Sequence, residues 1–130
     1  MTTDLWMLVW SAVLCLAIPY PAITVLLRMP GGSAWGFGNR DTSFAVPAWI
    51  ERTRRAHANM VENLVPFACL VLIAHVAGKA NATTAFAAQL FLGARIVYTL
   101  VHMAGIPLLR TLIFGMGVLA EVLILLQILR

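Results

Sequence analysis

The chain has 130 residues, 62% of them hydrophobic and only 11% charged, against about 25% charged in an ordinary soluble domain. A soluble fold of this size needs a mostly polar surface, so this composition, with a mean hydropathy of +0.91, excludes a free-standing soluble domain and calls for lipid around it. The formal charge of +4 does not make a nucleic-acid binder, because no basic stripe with interleaved aromatics and no Cys/His finger spacing is present.

The first apolar run spans Leu5 to Leu27, in a helix expected over Leu5 to Arg28. Its flank carries Asp4 instead of a basic n-region, and a core of about 23 residues is longer than a signal peptide needs. It reads as a retained membrane span, since a bilayer takes roughly 20 residues per helix. Pro19 and Pro21 fall inside it and predict a kink; a split into two short helices is the alternative, though it leaves neither long enough to span. Met29 to Pro47 is the longest connection. It is rich in Gly and Pro, with Trp35, Phe37 and Phe44 interleaved, and reads as a loop resting on the membrane interface.

The second helix is expected over Ala48 to Ala77, polar in its first turns and apolar from Leu64, with Pro66 at the change of character. Its apolar half is short for a span, so the polar half must enter the membrane or project beyond it. A short turn holding Lys79 leads to a third helix, Thr84 to Met103, and Gly105 and Pro107 mark the turn before a fourth, Leu108 to Leu129. Cys15 and Cys69 lie within apolar runs and read as small buried hydrophobes, with neither a disulfide nor a metal site implied. These elements make an all-α, four-transmembrane-helix bundle, one membrane domain over residues 1–130.

Four spans put both termini on one side. Arg28, Arg40, Arg52, Arg54, Arg55 and Arg110 then share the side of the first and third loops, and Lys79 and Arg130 the other. The positive-inside rule places those two loops in the cytoplasm and both termini outside it. The compact loops suit a bacterial inner membrane.

Several polar residues need an explanation at this depth. Glu51, Arg55, Asn59 and Glu62 follow one another by four, four and three, which stacks them on one helix face with Arg52 beside it. Charges facing hydrocarbon are costly, so that face must meet a neighbouring helix, another subunit or a polar cavity. It is either an ion-pair network that sets helix register or a pocket for a ligand with carboxylates and an amine. Arg95, Tyr98 and His102 form a second stripe on the third helix, and Arg95 calls for a partner such as Glu62 or Glu121. Glu121 reads as half of a cross-helix ion pair. Arg110 is either one more positive-inside charge or a cation at the mouth of a cavity. His57 and His75 have no second ligand at metal-binding spacing.

The run Glu51-Arg52-Thr53-Arg54-Arg55-Ala56-His57-Ala58-Asn59, followed by Glu62-Asn63-Leu64-Val65-Pro66-Phe67, resembles the signature of the MAPEG superfamily, the membrane-associated proteins in eicosanoid and glutathione metabolism. The resemblance continues in Gly38-Asn39-Arg40, in Gly93-Ala94-Arg95 and in Gln127-Ile128-Leu129. It implies a homotrimer in membrane lipids, with glutathione bound as thiol cosubstrate between adjacent subunits near the cytoplasmic end, and no metal. Carried across by position, Arg28, Arg55, Asn59 and Glu62 would bind glutathione, with Arg52 in the same motif. Arg110 would stabilise the thiolate, and Thr111 would add a hydroxyl contact.

Tyr98 and His102, counted with the binding residues, stand where the prostaglandin synthase branch has histidine and then tyrosine. Ala58 replaces an arginine of that branch and Phe114 a tyrosine, which points away from prostaglandin synthesis. The activity implied is a glutathione-dependent membrane transferase or peroxidase acting on a lipophilic electrophile or lipid hydroperoxide. The alternative is a non-catalytic membrane subunit or scaffold that keeps the fold, and a transporter is a weaker third reading because repeats are missing.

Overall fold

The four long apolar runs become four helices of membrane-spanning length, the first of them jointed. A computed structural model describes residues 1–130. Helix α1 covers Thr3–Ala17, α2 Tyr20–Arg28, α3 Gly32–Phe37, α4 Ala48–Val76, α5 Ala82–Ala104 and α6 Pro107–Leu129. Segments α1 and α2 form the first span, Thr3–Arg28, and α4, α5 and α6 supply the other three.

The joint in the first span lies at Ile18 and Pro19. Proline has no N–H to donate, and Pro19 and Pro21 remove two donors within three residues. Ile18 still donates to Leu14 O (3.0 Å) and Ile23 to Pro19 O (2.9 Å). Ile18 and Pro19 also keep right-handed helical dihedrals. The direction of the chain therefore carries through the joint while the hydrogen-bond ladder does not. The expected kink is therefore a joint between two helical segments of one span. The following connection also holds more structure than its glycines suggest. It contains the short helix α3, and the Trp35 and Phe44 rings stack with centroids 5.5 Å apart, while Phe37 is 83% exposed.

Helix α4 has 29 residues, which at 1.5 Å per residue is about 43 Å. A hydrocarbon core is only about 30 Å thick. The polar first turns therefore stand beyond the apolar slab, on the side of the α5–α6 turn. Pro66 lies inside α4 and leaves the Glu62 carbonyl without its helical donor.

The core lies where α4, α5 and α6 meet. Met60, Phe67, Val71 and Ala74 from α4 face Ala87, Ala88 and Phe91 from α5, with Ala120 and Ile124 from α6. Small residues let backbones approach, as membrane helices without a hydrophobic drive between them require. Into that close packing fits one parallel aromatic pair, Phe67 and Phe91, with centroids 3.8 Å apart and planes 6° from parallel. Large apolar side chains such as Leu16, Leu100, Leu108 and Leu112 remain exposed on the outside. Such a surface suits lipid. Cys69 is exposed and Cys15 half-buried, so the reading of both as buried holds for neither in full; Cys69 sits on the outward side of α4.

At the end opposite the arginines, Asn81 accepts from the Thr83 and Thr84 backbone N–H groups and caps α5. The Thr84 hydroxyl reaches across to Asp4 of α1 at 2.5 Å, where both side chains are buried. The carboxylate thus meets a hydroxyl donor at a helix N-terminus, where its charge is favoured. Asn81 Nδ2 also donates to Gln127 Oε1 (3.1 Å), which ties the end of α6 to the same point.

Thr84→Val leaves the buried Asp4 oxygen without its donor and should cost about 1–3 kcal/mol. Thr84→Ser keeps the hydroxyl and should cost markedly less. Unfolding of both variants in detergent, followed by circular dichroism against denaturant, measures the difference.

Candidate functional site

At the basic end, three elements converge on one cleft. Helix α4 contributes Arg52 and Arg55, α5 contributes His102, and α6 contributes Arg110, around the Gly105–Pro107 turn. The cleft has a volume of about 180 Å³, and no acidic residue lines it. Arg52 Nε donates to the Met103 carbonyl (2.9 Å), and the guanidinium lies over Gly105. That glycine has φ +82° and would set a Cβ 3.2 Å from Arg52 Cζ, so it is needed twice, for the turn and for the close approach. Arg55 is exposed and Arg110 half-exposed; neither has an ion-pair partner in the chain.

Beside this cleft lies a second hollow of about 200 Å³, lined by Tyr98, Arg110, Thr111 and Phe114. Arg110 belongs to both. The Tyr98 hydroxyl and His102 Nδ1 are 3.2 Å apart and hydrogen-bonded, so the tyrosine and histidine of α5 link the two hollows. Thr111 is exposed, and its hydroxyl donates to Pro107 O (3.1 Å), which holds it to its own helix. Pro107 opens α6 where its missing N–H has no helical acceptor to serve.

Arg95 underlies the site. It is 1% exposed. Its Nη1 donates to Asn59 Oδ1 (3.2 Å) and its Nη2 to Asn63 Oδ1 (3.0 Å). Its guanidinium carbon lies 4.9 Å from the Phe91 ring centroid, 5.9 Å from Tyr98 and 5.5 Å from Phe114, distances at which aromatic faces attract a cation. Gly117 of α6 makes the remaining room, since a Cβ there would run into the guanidinium. The sequence points to Glu62 or Glu121 as the partner of Arg95, and the structure corrects this. Two asparagines supply the acceptors. Glu121 lies within coulombic range, but its Oε1 is buried without a hydrogen bond, as is Arg95 Nε. Two neutral acceptors one helical turn apart thus take the two terminal nitrogens of the guanidinium.

The expected stripe Glu51, Arg55, Asn59 and Glu62 divides among different roles. Glu51 pairs with Arg54 at 2.7 Å, the one ion pair of the chain. Asn59 turns inward to Arg95. Arg55 and Glu62 stay exposed, with no ion pair, so no internal ion-pair network runs along this face. Arg28 ends α2, which packs against α3 and α4, and it is not among the residues lining the cleft. One chain therefore gathers Arg52, Arg55, Tyr98, His102, Arg110 and Thr111, keeps Asn59 behind them, and leaves Arg28 and Glu62 apart.

Gly105, Asn63 and Gly117 are the contributors that sequence reading missed. The Asn59/Asn63 spacing of four was the available signal for a polar clasp. His57 meets Cys15 Sγ at 3.9 Å, and no three His, Cys, Asp or Glu side chains gather as metal ligands would.

Gly117→Ala should displace Arg95 and cost about 1–3 kcal/mol by overpacking. Gly93→Ala and Gly115→Ala, where an added Cβ meets nothing within 4 Å, should be neutral or stabilise the helices by up to about 1 kcal/mol. Thermal unfolding of the three variants in one detergent checks the contrast.

The MAPEG family model matches residues 7–130. A stretch of 58 residues, 45% of this chain, is 38% identical to Microsomal glutathione S-transferase 1 of Homo sapiens, 40% identical to that of Sus scrofa and 38% identical to that of Rattus norvegicus. The match spans 37% of the length of each of these relatives. No solved structure matches the chain. The chain, an all-α integral membrane protein with four spans, belongs to the MAPEG family.

Proposed function

We propose that the protein is a glutathione-dependent membrane transferase or peroxidase, and that Arg110 stabilises the thiolate of glutathione. The observation that carries the proposal is the cleft in which Arg52, Arg55, His102 and Arg110 converge with no acid among them. Glutathione has two carboxylates, one ammonium and one thiol. Arginine binds carboxylate in a planar fork, and Arg55 has no acidic partner in the chain to compete for it. Glu62, exposed and unpaired on the same helix, suits the ammonium.

The volume of about 180 Å³ is below the roughly 300–1,000 Å³ of small-molecule pockets. A second subunit closing over the cleft supplies the missing wall. A homotrimer with the site between protomers also gives Arg28 and Glu62 a partner, which the single chain does not. With the basic end in the cytoplasm, the polar peptide arrives from water and the lipophilic substrate from the bilayer.

The chemistry requires a thiolate. An ordinary thiol has a pKa of about 8.5, and lowering it to about 6.5 takes roughly 2.7 kcal/mol. One arginine in a partly dry site can supply this. In the transferase reaction the sulfur forms a bond to an electrophilic carbon and the leaving group departs with the electron pair. In the peroxidase reaction two glutathione molecules become one disulfide while a lipid hydroperoxide becomes an alcohol and water. The Tyr98–His102 pair lies beside the reacting end, with Tyr98 lining the same hollow as Arg110.

A second reading, a non-catalytic membrane subunit, rests on one observation: Asn59 is already engaged by Arg95, so part of the motif serves the fold. The two readings separate by experiment. The trimer reading expects glutathione to bind the detergent-purified protein by calorimetry and to show ultraviolet thiolate absorbance at neutral pH. Arg110→Ala should retain binding within a few fold, lose the thiolate absorbance, and lower kcat/KM for a model electrophile by about 100-fold, the equivalent of 2.7 kcal/mol. Absence of both binding and conjugation in the intact protein would leave the structural reading standing.

A further inference from the structure

The outer seam between α5 and α6 holds a groove away from the basic end. Phe86, Gln89, Gly93 and Val97 of α5 form one wall, and Ile113 and Met116 of α6 form the other. Its volume of about 440 Å³ exceeds that of either hollow at the basic end and falls among small-molecule pockets, roughly 300–1,000 Å³. It shares no residue with those hollows, so the site stands whether or not the chain binds glutathione. Phe86, Val97 and Met116 are exposed on the outside of the bundle, and the groove therefore opens to lipid.

Gln89 has no account within the chain. Of the two glutamines in the sequence, Gln127 is met by Asn81 at 3.1 Å, whereas Gln89 is exposed and its carboxamide makes no hydrogen bond to another side chain or to the backbone. It follows Ala82, the first residue of α5, by seven residues, about 10 Å along the helix. That depth is inside the hydrocarbon layer, where no water completes an amide. A second helix is poorly suited to answer it. Close helix approach needs small residues one turn apart, and the residues four before and four after Gly93 are Gln89 and Val97. A Cβ added at Gly93 would meet nothing within 4 Å. The space is thus a slot between larger side chains, which admits a narrow molecule and not another backbone.

We propose that this groove binds a lipid-soluble quinone, with its ring beside Phe86 and Gln89 and its apolar tail lying over Gly93 toward Val97 and Met116. Three features favour a quinone over other lipids. The first is depth. Phospholipids and fatty acids keep their oxygens at the water boundary, whereas a quinone has no charged head and carries its carbonyls into the hydrocarbon. The second is the amide. A carboxamide both donates and accepts, so Gln89 can donate to a quinone carbonyl and accept from a hydroxyl of the reduced form. The third is the ring. Phe86 lies one turn from Gln89 on the same face and offers an aromatic surface on which a flat ring can stack. Beyond Gly93 the walls are aliphatic or thioether, and methionine adapts its shape to a flexible tail.

The test is equilibrium retention on the immobilised full chain in detergent, with decylubiquinone, decylbenzene and 1-decanol as ligands, each eluted and quantified. Decylbenzene keeps a ring and the tail without oxygen, and 1-decanol keeps an oxygen and the tail without a ring. Decylubiquinone should be retained saturably and about tenfold more tightly than either. Gln89→Leu should remove that preference. Gly93→Leu, whose side chain enters open space, should abolish the saturable retention. Gly115→Leu, which adds the same bulk on α6 outside the groove, should leave it unchanged. Each substitution introduces a strong helix former, so a loss of binding does not come from loss of the helix. Equal retention of the three ligands, a preference that survives in Gln89→Leu, or retention undiminished in Gly93→Leu would each overturn the proposal.

Discussion

A buried arginine is the constraint from which the rest of the bundle is arranged. An unpaired guanidinium in the apolar slab is among the costliest groups a membrane helix can carry, and Arg95 is almost completely enclosed. Its solution draws on three helices. From α4 come two carbonyl acceptors one turn apart, from α5 and α6 aromatic faces, and from α6 a glycine that gives the guanidinium its space. The relative height and rotation of α4, α5 and α6 are therefore coupled through one side chain. The same coupling sets how Arg52, Arg55, His102 and Arg110 approach one another above it. A structural clasp and a basic cleft are consecutive layers of one arrangement, and Tyr98, which lies near Arg95 and is hydrogen-bonded to His102, joins them.

The two ends of the bundle solve different problems. At the end with Lys79, Asp4 is buried against Thr84, and Asn81 holds Gln127, so polar groups are consumed in pairs. At the other end the arginines outnumber their acids. Glu51 neutralises Arg54, and Arg40, Arg55 and Arg110 are left without ion pairs. Cations without acids at one membrane face invite anions from outside the chain. The Arg110 cleft is bounded by polar groups and a turn, and suits a water-borne anion.

The fold was largely legible because membrane spans announce themselves. Runs of twenty or so apolar residues bounded by Gly, Pro and Arg leave few alternatives, and all four spans lie where those runs are. The joint at Pro19 was legible as a kink but not as a break, because whether the ladder survives depends on dihedrals that a neighbouring helix settles. The helix α3 was hidden by its glycines, which mark turns locally and yet are tolerated where Trp35 stacks on Phe44. Part of the basic cleft was legible too. The spacing in α4 and α5 flagged the residues, but periodicity names a face without saying what each residue on it meets. Glu51 and Asn59 share the motif and serve unrelated partners. The role of Gly117 lies in the space opposite Arg95, and nothing in its sequence neighbourhood indicates which side chain will occupy that space.

The length of α4 ties the chemistry to the thickness of the membrane. Its roughly 43 Å lift the basic rim clear of a hydrocarbon layer about 30 Å deep. A thicker, sterol-rich or longer-chained bilayer would draw Arg52 and Arg55 toward the acyl region, where the helix must tilt or the lipid must thin locally to keep them wet. Hydrophobic mismatch thereby becomes a control on how accessible the cleft is to water, with the host membrane acting on the site through no contact with the site itself.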